Sequence, residues 1–474
     1  MNLKSKRHLT LQNLFELKRI SSIQERVSSG RVFYKENILG LTDETGILWP
    51  IGKHDYLLTY TLNSGDWISF KCKINKIEEL SNIGDENYFF QINEIIDVVE
   101  NKSEWINSKL DSPLPNEKEL QKLVISTHPF ISNFLPNKTK KRFQLLNKRN
   151  RALERTYSFF KNRGFFNIET PTLVPSGGVE VYLNSFNTSY IDHRNKPWPI
   201  QLPTSPEFAL KKILTEGVEK IFQLSRAYRN NGEVAKFHEP EFIMLEWYRA
   251  NANLSDIMED TQNLVNVLAE LLGSTKDLPK QWPVFRVDDL FKKQLNLNLD
   301  HLQDRDQFYE QAKNLSHSIT IKDDWDTIFY KLFMEKIEPF LFTQKACFVS
   351  HYPIQMCALA SQEKIKAADG KILKKPYVER MEAYLFGTEI CNGYFELNDS
   401  NIFQERFATT QKLRPDVLMD FGFKNAMLFG LPNCAGNALG IDRVIAILLD
   451  LDNISSLYPI PFLSQFPPDT VAWE

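Results

Sequence analysis

Residues 202–249, LPTSPEFALKKILTEGVEKIFQLSRAYRNNGEVAKFHEPEFIMLEWYR, constrain the fold more tightly than any other stretch. They predict a strand-like entry, a helix over 206–216, and an apolar run over 221–224 that delivers Arg226 and Arg229 to a polar, Gly-containing loop. A second apolar strand over 241–248 follows, with Glu241, Glu246 and Tyr248 as outward polar groups. The result is a hairpin with an arginine at the end of its first strand. A planar, permanently charged guanidinium can hold a phosphate oxygen through two hydrogen bonds, so the loop reads as a nucleotide clamp.

At 474 residues the chain can hold two or three domains. Aromatics make up 12%, with 34 Phe, which places it among globular rather than disordered chains. The formal charge of −3 argues against wholesale coating of nucleic acid and leaves local patches open. The five cysteines, Cys72, Cys347, Cys357, Cys391 and Cys434, have neither metal-site spacing nor a disulfide framework, and read as reduced thiols of a cytoplasmic protein. No run of about 18 apolar residues exists, so no membrane span is expected. The opening MNLKSKRHLTLQNLFELKRI is basic but lacks the apolar core of a secretion signal, and Glu16 disfavours an organellar presequence.

The run TSPE, then Arg229 with Asn230 and a polar loop, then HEPEF and LEWYR, resembles the second signature of class II aminoacyl-tRNA synthetases of the lysine branch. LEWYR is similar, more narrowly, to the elongation factor P lysine ligases, synthetase-like enzymes that load a (β-)lysyl group onto a lysine of that factor. Three further stretches agree. A long helix ending at Arg163-Gly164 and the extended FFNIETP resemble the first signature, which implies a homodimer. TEICNGYFELND carries Glu389 and Glu396 on either side of Gly393, where a bend or close approach is permitted. GLPNCAGNALGIDRVIAILL resembles the third signature, a Gly-rich strand running into an apolar helix. There Gly436, Ala438 and Gly440 are expected to let adenine approach the backbone. Ala438 stands where the synthetases have glycine and the ligases alanine; one methyl on a pocket wall can decide which amino acid fits.

Ahead of these lies a period-two pattern over residues 20–101, clearest where Ile68, Phe70, Cys72 and Ile74 alternate with polar residues. It predicts a small all-β barrel of about five strands that resembles an OB-fold, the module lysyl-tRNA synthetases use on the anticodon. Tyr34, Trp49 and Phe89 are candidates for base stacking or for barrel core. The expected organisation is a basic segment 1–19, the barrel 20–101, a linker 102–137, and an α+β catalytic domain 138–474 of the class II type, an antiparallel sheet flanked by helices. Lysines and arginines over 138–155 form a solvated face or a contact for phosphate or acidic protein. Residues 252–341 show helical periodicity, with Ser255 as a candidate N-cap.

The resemblance assigns Arg229 and Arg443 to catalysis on the phosphates. It places Asn230, Asn231, Glu233, Glu239, Glu389, Ile390 and Gly440 on ATP. Ser205, Glu207, Glu246, Tyr248, Glu396 and Ala438 fall on a lysine-like substrate, and Glu389 with Glu396 on Mg2+. Two carboxylates facing one cleft repel each other unless a cation sits between them, and ATP-bound magnesium is such a cation. The amino-acid carboxylate is already ionised at neutral pH, so positioning and charge neutralisation suffice for attack on the α-phosphate. The sequence departs from the family at two points. Asn231 stands where a glutamate normally reads adenine, with Glu233 two places later, and Glu239 replaces an asparagine. Three functions compete: elongation factor P lysylation, supported by LEWYR and Ala438; tRNA charging, supported by the barrel; and a non-catalytic nucleotide- or RNA-binding relative, supported by Asn231 and Glu239.

Overall fold

The structure is a computed structural model that describes residues 26–35, 38–42, 49–50, 67–76, 88–99, 136–178, 183–232, 236–356, 359–366, 372–413 and 419–466. The expected N-terminal segment, most of the linker, Glu233, and the side chains of Tyr34, Trp49 and Phe89 lie outside the described residues. The chain divides into two units, residues 1–148 with 456–474 and residues 149–455.

In the first unit β1 (Arg26–Lys35), β2 (Ile38–Thr42), β3 (Trp49–Pro50), β4 (Trp67–Lys76) and β5 (Tyr88–Val99) form one antiparallel sheet in the order β3-β2-β1-β4-β5. The alternation at Ile68, Phe70, Cys72 and Ile74 thus belongs to a strand paired on both edges, by β1 and by β5. Register shifts at Ser69/Phe70 and Lys71/Cys72 are the irregularities that bend a sheet. The end strands β3 and β5 approach within 8 Å between Cα atoms.

Helix α1 (Pro136–Lys161) ends before Gly164, whose φ of 79° is open to glycine at no steric cost. Its buried face is Ala152, Thr156, Phe159 and Phe160, whereas Tyr157 is 38% exposed. Phe160 stacks on Phe222 at 5.2 Å and meets Trp247 at 5.1 Å, fixing the helix to the sheet. Arg149, counted in the basic run, is bound internally. Its guanidinium donates to both Asp442 oxygens at 2.7 and 3.3 Å.

The second unit is built on a nine-stranded sheet. After β6 (Phe166–Asn167) and an exposed hairpin of β7 (Phe186–Ile191) and β8 (Pro197–Leu202), α2 (Glu207–Leu214) leads into β9 (Lys220–Tyr228) and β10 (Glu241–Ala250). Helix α3 (Leu254–Leu272) follows. Asn253 caps it, not Ser255: the Asn253 side chain accepts from the Ser255 and Asp256 amides, and Asp256 reaches back to the Asn253 amide. Next come β11 (Val284–Arg286), α4 (Val287–Leu295), α5 (Arg305–Ala312), α6 (Trp325–Leu332), a π-turn at Phe333–Ile337 and α7 (Glu338–Phe342). Strands β12 (Ala346–Pro353), β13 (Gln362–Lys366), β14 (Ile372–Leu385) and β15 (Thr388–Phe395) precede α8 (Ser400–Leu413), α9 (Phe421–Phe429), β16 (Cys434–Gly440) and α10 (Ile441–Leu448).

The sheet order is β11-β12-β14-β15-β16-β10-β9-β6, with β13 on β14. Its centre is antiparallel as expected, but both edge pairs, β11 with β12 and β6 with β9, are parallel, so the sheet is mixed. One apolar cluster, including Phe291, Phe329 and Tyr352, packs the α4–α7 side. A second, including Phe208, Phe403 and Phe423, packs α2 against α8 and α9. Among the described residues no helix is long and apolar enough to cross a membrane.

Candidate active site

Antiparallel register places directly paired residues on one face. Gln223 pairs with Glu246, Glu246 with Ala438, Ala438 with Asn392, and Asn392 with Glu382, so five strands present one lateral row. Four of its members, Glu246, Ala438, Asn392 and Glu382, line a cavity of about 1410 Å³. The next row is Tyr248, Gly436, Tyr394 and Arg380. A Cβ on Gly436 would lie 2.3 Å from the Tyr248 ring and 3.0 Å from Glu396 Oε1. The missing side chain of Gly436 therefore makes room for Tyr248, not for an adenine. Gly393 has the close approach expected of it, with Gly436 O only 2.9 Å from where a Cβ would stand.

One end of the cavity is cationic. Arg229 leaves β9, its amide donates to Pro240 O at 2.9 Å, and its guanidinium lies 5.1 Å from the Phe242 ring centroid. Its Nε is buried with no hydrogen-bond partner among the described residues. Arg443, in the first turn of α10, donates to Glu389 O at 2.5 Å and to Phe237 O at 3.4 Å. Burial lowers its pKa, Glu389 opposes that, and nearby Arg229 adds to it. Glu389 opens onto the cavity with protein packed behind it. Desolvation, then Glu382, pushes its carboxyl up to about 7 against the pull of Arg443, Arg380 and Arg229. Glu382 accepts from Tyr352 at 2.5 Å, Tyr384 at 2.7 Å and Arg380 at 2.6 Å. Ile390 is buried and Gly440 meets only ordinary contacts, the nearest at 3.6 Å.

Glu389 lies beside Glu382, and Glu396 lies with Lys211 and Glu207; both Glu389 and Glu396, the residues expected on the metal, line the cavity. Among the described residues no three His, Cys, Asp or Glu side chains gather as a self-sufficient metal cage. Two mutually repelling carboxylates beside two arginines do fit magnesium, which takes one or two carboxylates and fills its shell with phosphate and water.

The other end is acidic. Glu246 and Tyr248 are not outward groups as expected: they are 1% and 3% exposed, and Tyr248 donates to Glu246 Oε1 at 2.6 Å. Glu246 Oε2 is buried with no hydrogen-bond partner among the described residues. Burial, then Glu207, raises the Glu246 pKa, with Tyr248 and Lys211 opposing. Only Glu241 of the three faces outward, where it pairs with Arg226. Glu396 is 1% exposed; desolvation lifts it to about 7, while Lys211 pulls it down and Glu207 pushes it up. Lys211 of α2 is fully buried, 2.5 Å from Glu207 Oε1 and 2.6 Å from Glu396 Oε2. Ser205 lines the cavity, and its hydroxyl accepts from the Glu207 amide at 3.3 Å at the start of α2.

The two departures from the family have local explanations. Asn231 has φ of 54°, a left-handed conformation asparagine tolerates better than glutamate, and its amide donates to Asn230 Oδ1 at 2.9 Å. It is exposed at the cavity rim. Glu239 is 8% exposed and hydrogen-bonds Ser455; burial raises its pKa, which favours the uncharged form. Sequence reasoning missed Glu382, Asn392 and Lys211. The signal for Lys211 was present: it sits on the same helix as the buried Phe208, Leu210 and Leu214, four residues after an acid.

A cavity with arginines at one end and glutamates at the other, laid on a largely antiparallel sheet, is that of a class II synthetase. Over residues 130–464 the chain matches the family described as tRNA synthetases class II (D, K and N), and it belongs to that family. Its relatives include proteins named elongation factor P–(R)-beta-lysine ligase. Those from Hamiltonella defensa, Haemophilus ducreyi and Avibacterium paragallinarum are 33%, 33% and 34% identical to it. Each match spans 66% of this chain and 94%, 92% and 94% of the respective relative.

Proposed function

We propose that the protein activates lysine or (R)-β-lysine with ATP as an acyl-adenylate and transfers the acyl group to a lysine of elongation factor P. The observation that carries this reading is the polarity of the cavity: Arg229 and Arg443 at one end, Glu207, Glu246 and Glu396 at the other. A polyanion and a diammonium compound meet there along one row of the sheet. The names of the relatives supply the acceptor.

In this reading Arg229 holds the α-phosphate and the amino-acid carboxylate, and Arg443 the terminal phosphates. The carboxylate attacks the α-phosphorus, and pyrophosphate leaves. Glu382 and Glu389 would hold Mg2+, which when bound neutralises phosphate charge. Asn230 and Asn231 border the nucleotide, with Ile390 and Gly440 along its backbone side. Glu207, Glu246, Tyr248 and Glu396 take the ammonium groups, since a buried ammonium must be paired. The Ala438 methyl, between Glu246 and Asn392, narrows the pocket floor. The acceptor amine then attacks the acyl carbonyl and AMP departs.

The reading extends to a homodimer through α1 and β6, an OB-like barrel over β1–β5, a domain boundary near residue 138, and a cytoplasmic setting, which suits the free, buried Cys347, Cys391 and Cys434. One observation favours lysyl-tRNA synthesis as a second reading: the five-stranded sheet ahead of the family match. An acceptor assay separates the two. With ATP, magnesium and labelled lysine or β-lysine, label should pass to elongation factor P; exclusive charging of tRNA overturns the leading reading. Binding of ATP without lysine-dependent pyrophosphate exchange selects a non-catalytic relative.

A further inference from the structure

Helix α2 carries an ammonium of its own into the acidic end of the cavity. Leu210 and Leu214 of that helix are fully buried, and so is Lys211, whereas Lys212 stays partly exposed and reaches Asp420 at 2.6 Å. An unpaired ammonium at such a place would be strongly unfavourable. The groups around Lys211 come from four elements: Glu207 of α2, Glu396 beyond β15, Glu246 and Tyr248 of β10, and Cys434 of β16. Its Nζ binds two of the three glutamates directly and lies 5.8 Å from the Tyr248 ring centroid. The third, Glu246, keeps one buried oxygen without a hydrogen-bond partner among the described residues.

We propose that Lys211 is a positioning residue that sets both the geometry and the charge of the substrate pocket. Once ammonium groups bind and keep all three glutamates ionised, the glutamates and the one lysine leave a formal charge of minus two, the complement of an amino acid with two ammonium groups. The lysine also ties Glu207 to Glu396, so that their remaining oxygens face the cavity at a fixed separation. Without it the carboxylates repel one another and the pocket no longer matches a dication. This rests on the lysine-type reading of the cavity and adds a residue that acts through Glu207 and Glu396 rather than on the substrate.

The test is lysine-dependent ATP–pyrophosphate exchange by the full chain as wild type, Lys211→Met, Lys211→Arg and Lys211→Ala. Lys211→Met should raise KM for lysine or β-lysine by roughly 30-fold and leave KM for ATP within about twofold, because a buried ion pair loses one partner. Lys211→Arg should recover most of that loss. Propylammonium added to Lys211→Ala should restore exchange saturably, and propanol of similar size should not. An unchanged lysine KM in Lys211→Met overturns the proposal. So does an equal rise in both KM values, or an alanine variant that ammonium and alcohol rescue alike or not at all. A wild type inert with both lysine and β-lysine instead overturns the reading of the cavity, and the proposal with it.

Discussion

The two ends of the cavity solve opposite electrostatic problems. At the arginine end, cations wait for an anion: the direct contacts of Arg443 are the carbonyls of Glu389 and Phe237, and that of Arg229 is the Phe242 ring, with the Glu389 carboxyl the neighbouring opposite charge. At the acidic end, anions wait for a cation and are partly neutralised meanwhile, Glu207 and Glu396 by Lys211 and Glu246 by the hydroxyl of Tyr248. The difference follows from the chemistry of the charges. An arginine keeps its proton even when buried, so it needs only neutral support. A buried carboxylate takes up a proton unless something opposes it, so it needs a positive or hydrogen-donating neighbour. Damage at the two ends should therefore look different in kinetics.

The largest effect is expected at the arginine end. Arg229→Ala removes a preorganised charge from the reacting phosphate and should lower kcat/KM for pyrophosphate exchange by about 10³-fold. Thermal unfolding should hardly move, because the guanidinium Nε has no hydrogen bond to lose among the described residues. A loss below tenfold would remove Arg229 from the reaction. Next in size is Glu396→Gln, which should raise KM for lysine about 100-fold, near 3 kcal/mol of a charge-assisted bond, and leave KM for ATP within about threefold. Equal changes in both constants would erase the distinction between the ends.

How much of this was legible in the sequence depended on whether the signal was local. The hairpin around Arg229, the glycine stop after α1, and the strand-to-helix passage before Arg443 each lie in one run of residues and were read correctly. Pairings between strands were not. Glu382 comes beside Glu389 because β14 and β15 are antiparallel neighbours, a pairing across the turn at Phe386-Gly387 that no single run of residues announces. Glu396, the same number of positions away on the other side, is carried past the end of β15 to Lys211. Glu246 and Tyr248 were set on the wrong side for a related reason. Polar residues on a strand normally mark the wet face, and only a buried site inverts that rule. The parallel edge pairs needed crossovers that no local pattern announces.

A smaller, graded effect separates the ends by pH. Burial raises the Glu396 carboxyl to about 7, so near neutrality it is protonated in about half the molecules. An arriving ammonium must displace that proton. Binding therefore strengthens as pH rises through 7, and KM for lysine should fall by about tenfold between pH 6 and pH 8. The dependence should flatten in Glu396→Gln, which has no proton to lose. A KM that rises over the same interval would reverse the sign assigned to the acidic end.

The smallest effect is predicted where the chain departs from its family. A glutamate at position 239 invites the expectation that a negative charge repels ATP and that Glu239→Asn lowers KM for ATP strongly. The structure argues otherwise. Glu239 is buried and its carboxyl is hydrogen-bonded to Ser455, so it already has a partner other than ATP, and burial raises its pKa. Glu239→Asn should shift KM for ATP by less than about threefold, below 0.7 kcal/mol or so, and should leave KM for lysine unchanged. A tenfold fall in KM for ATP would mean that Glu239 is ionised and faces the phosphates, and the arginine end would then be less purely cationic than its neighbours make it.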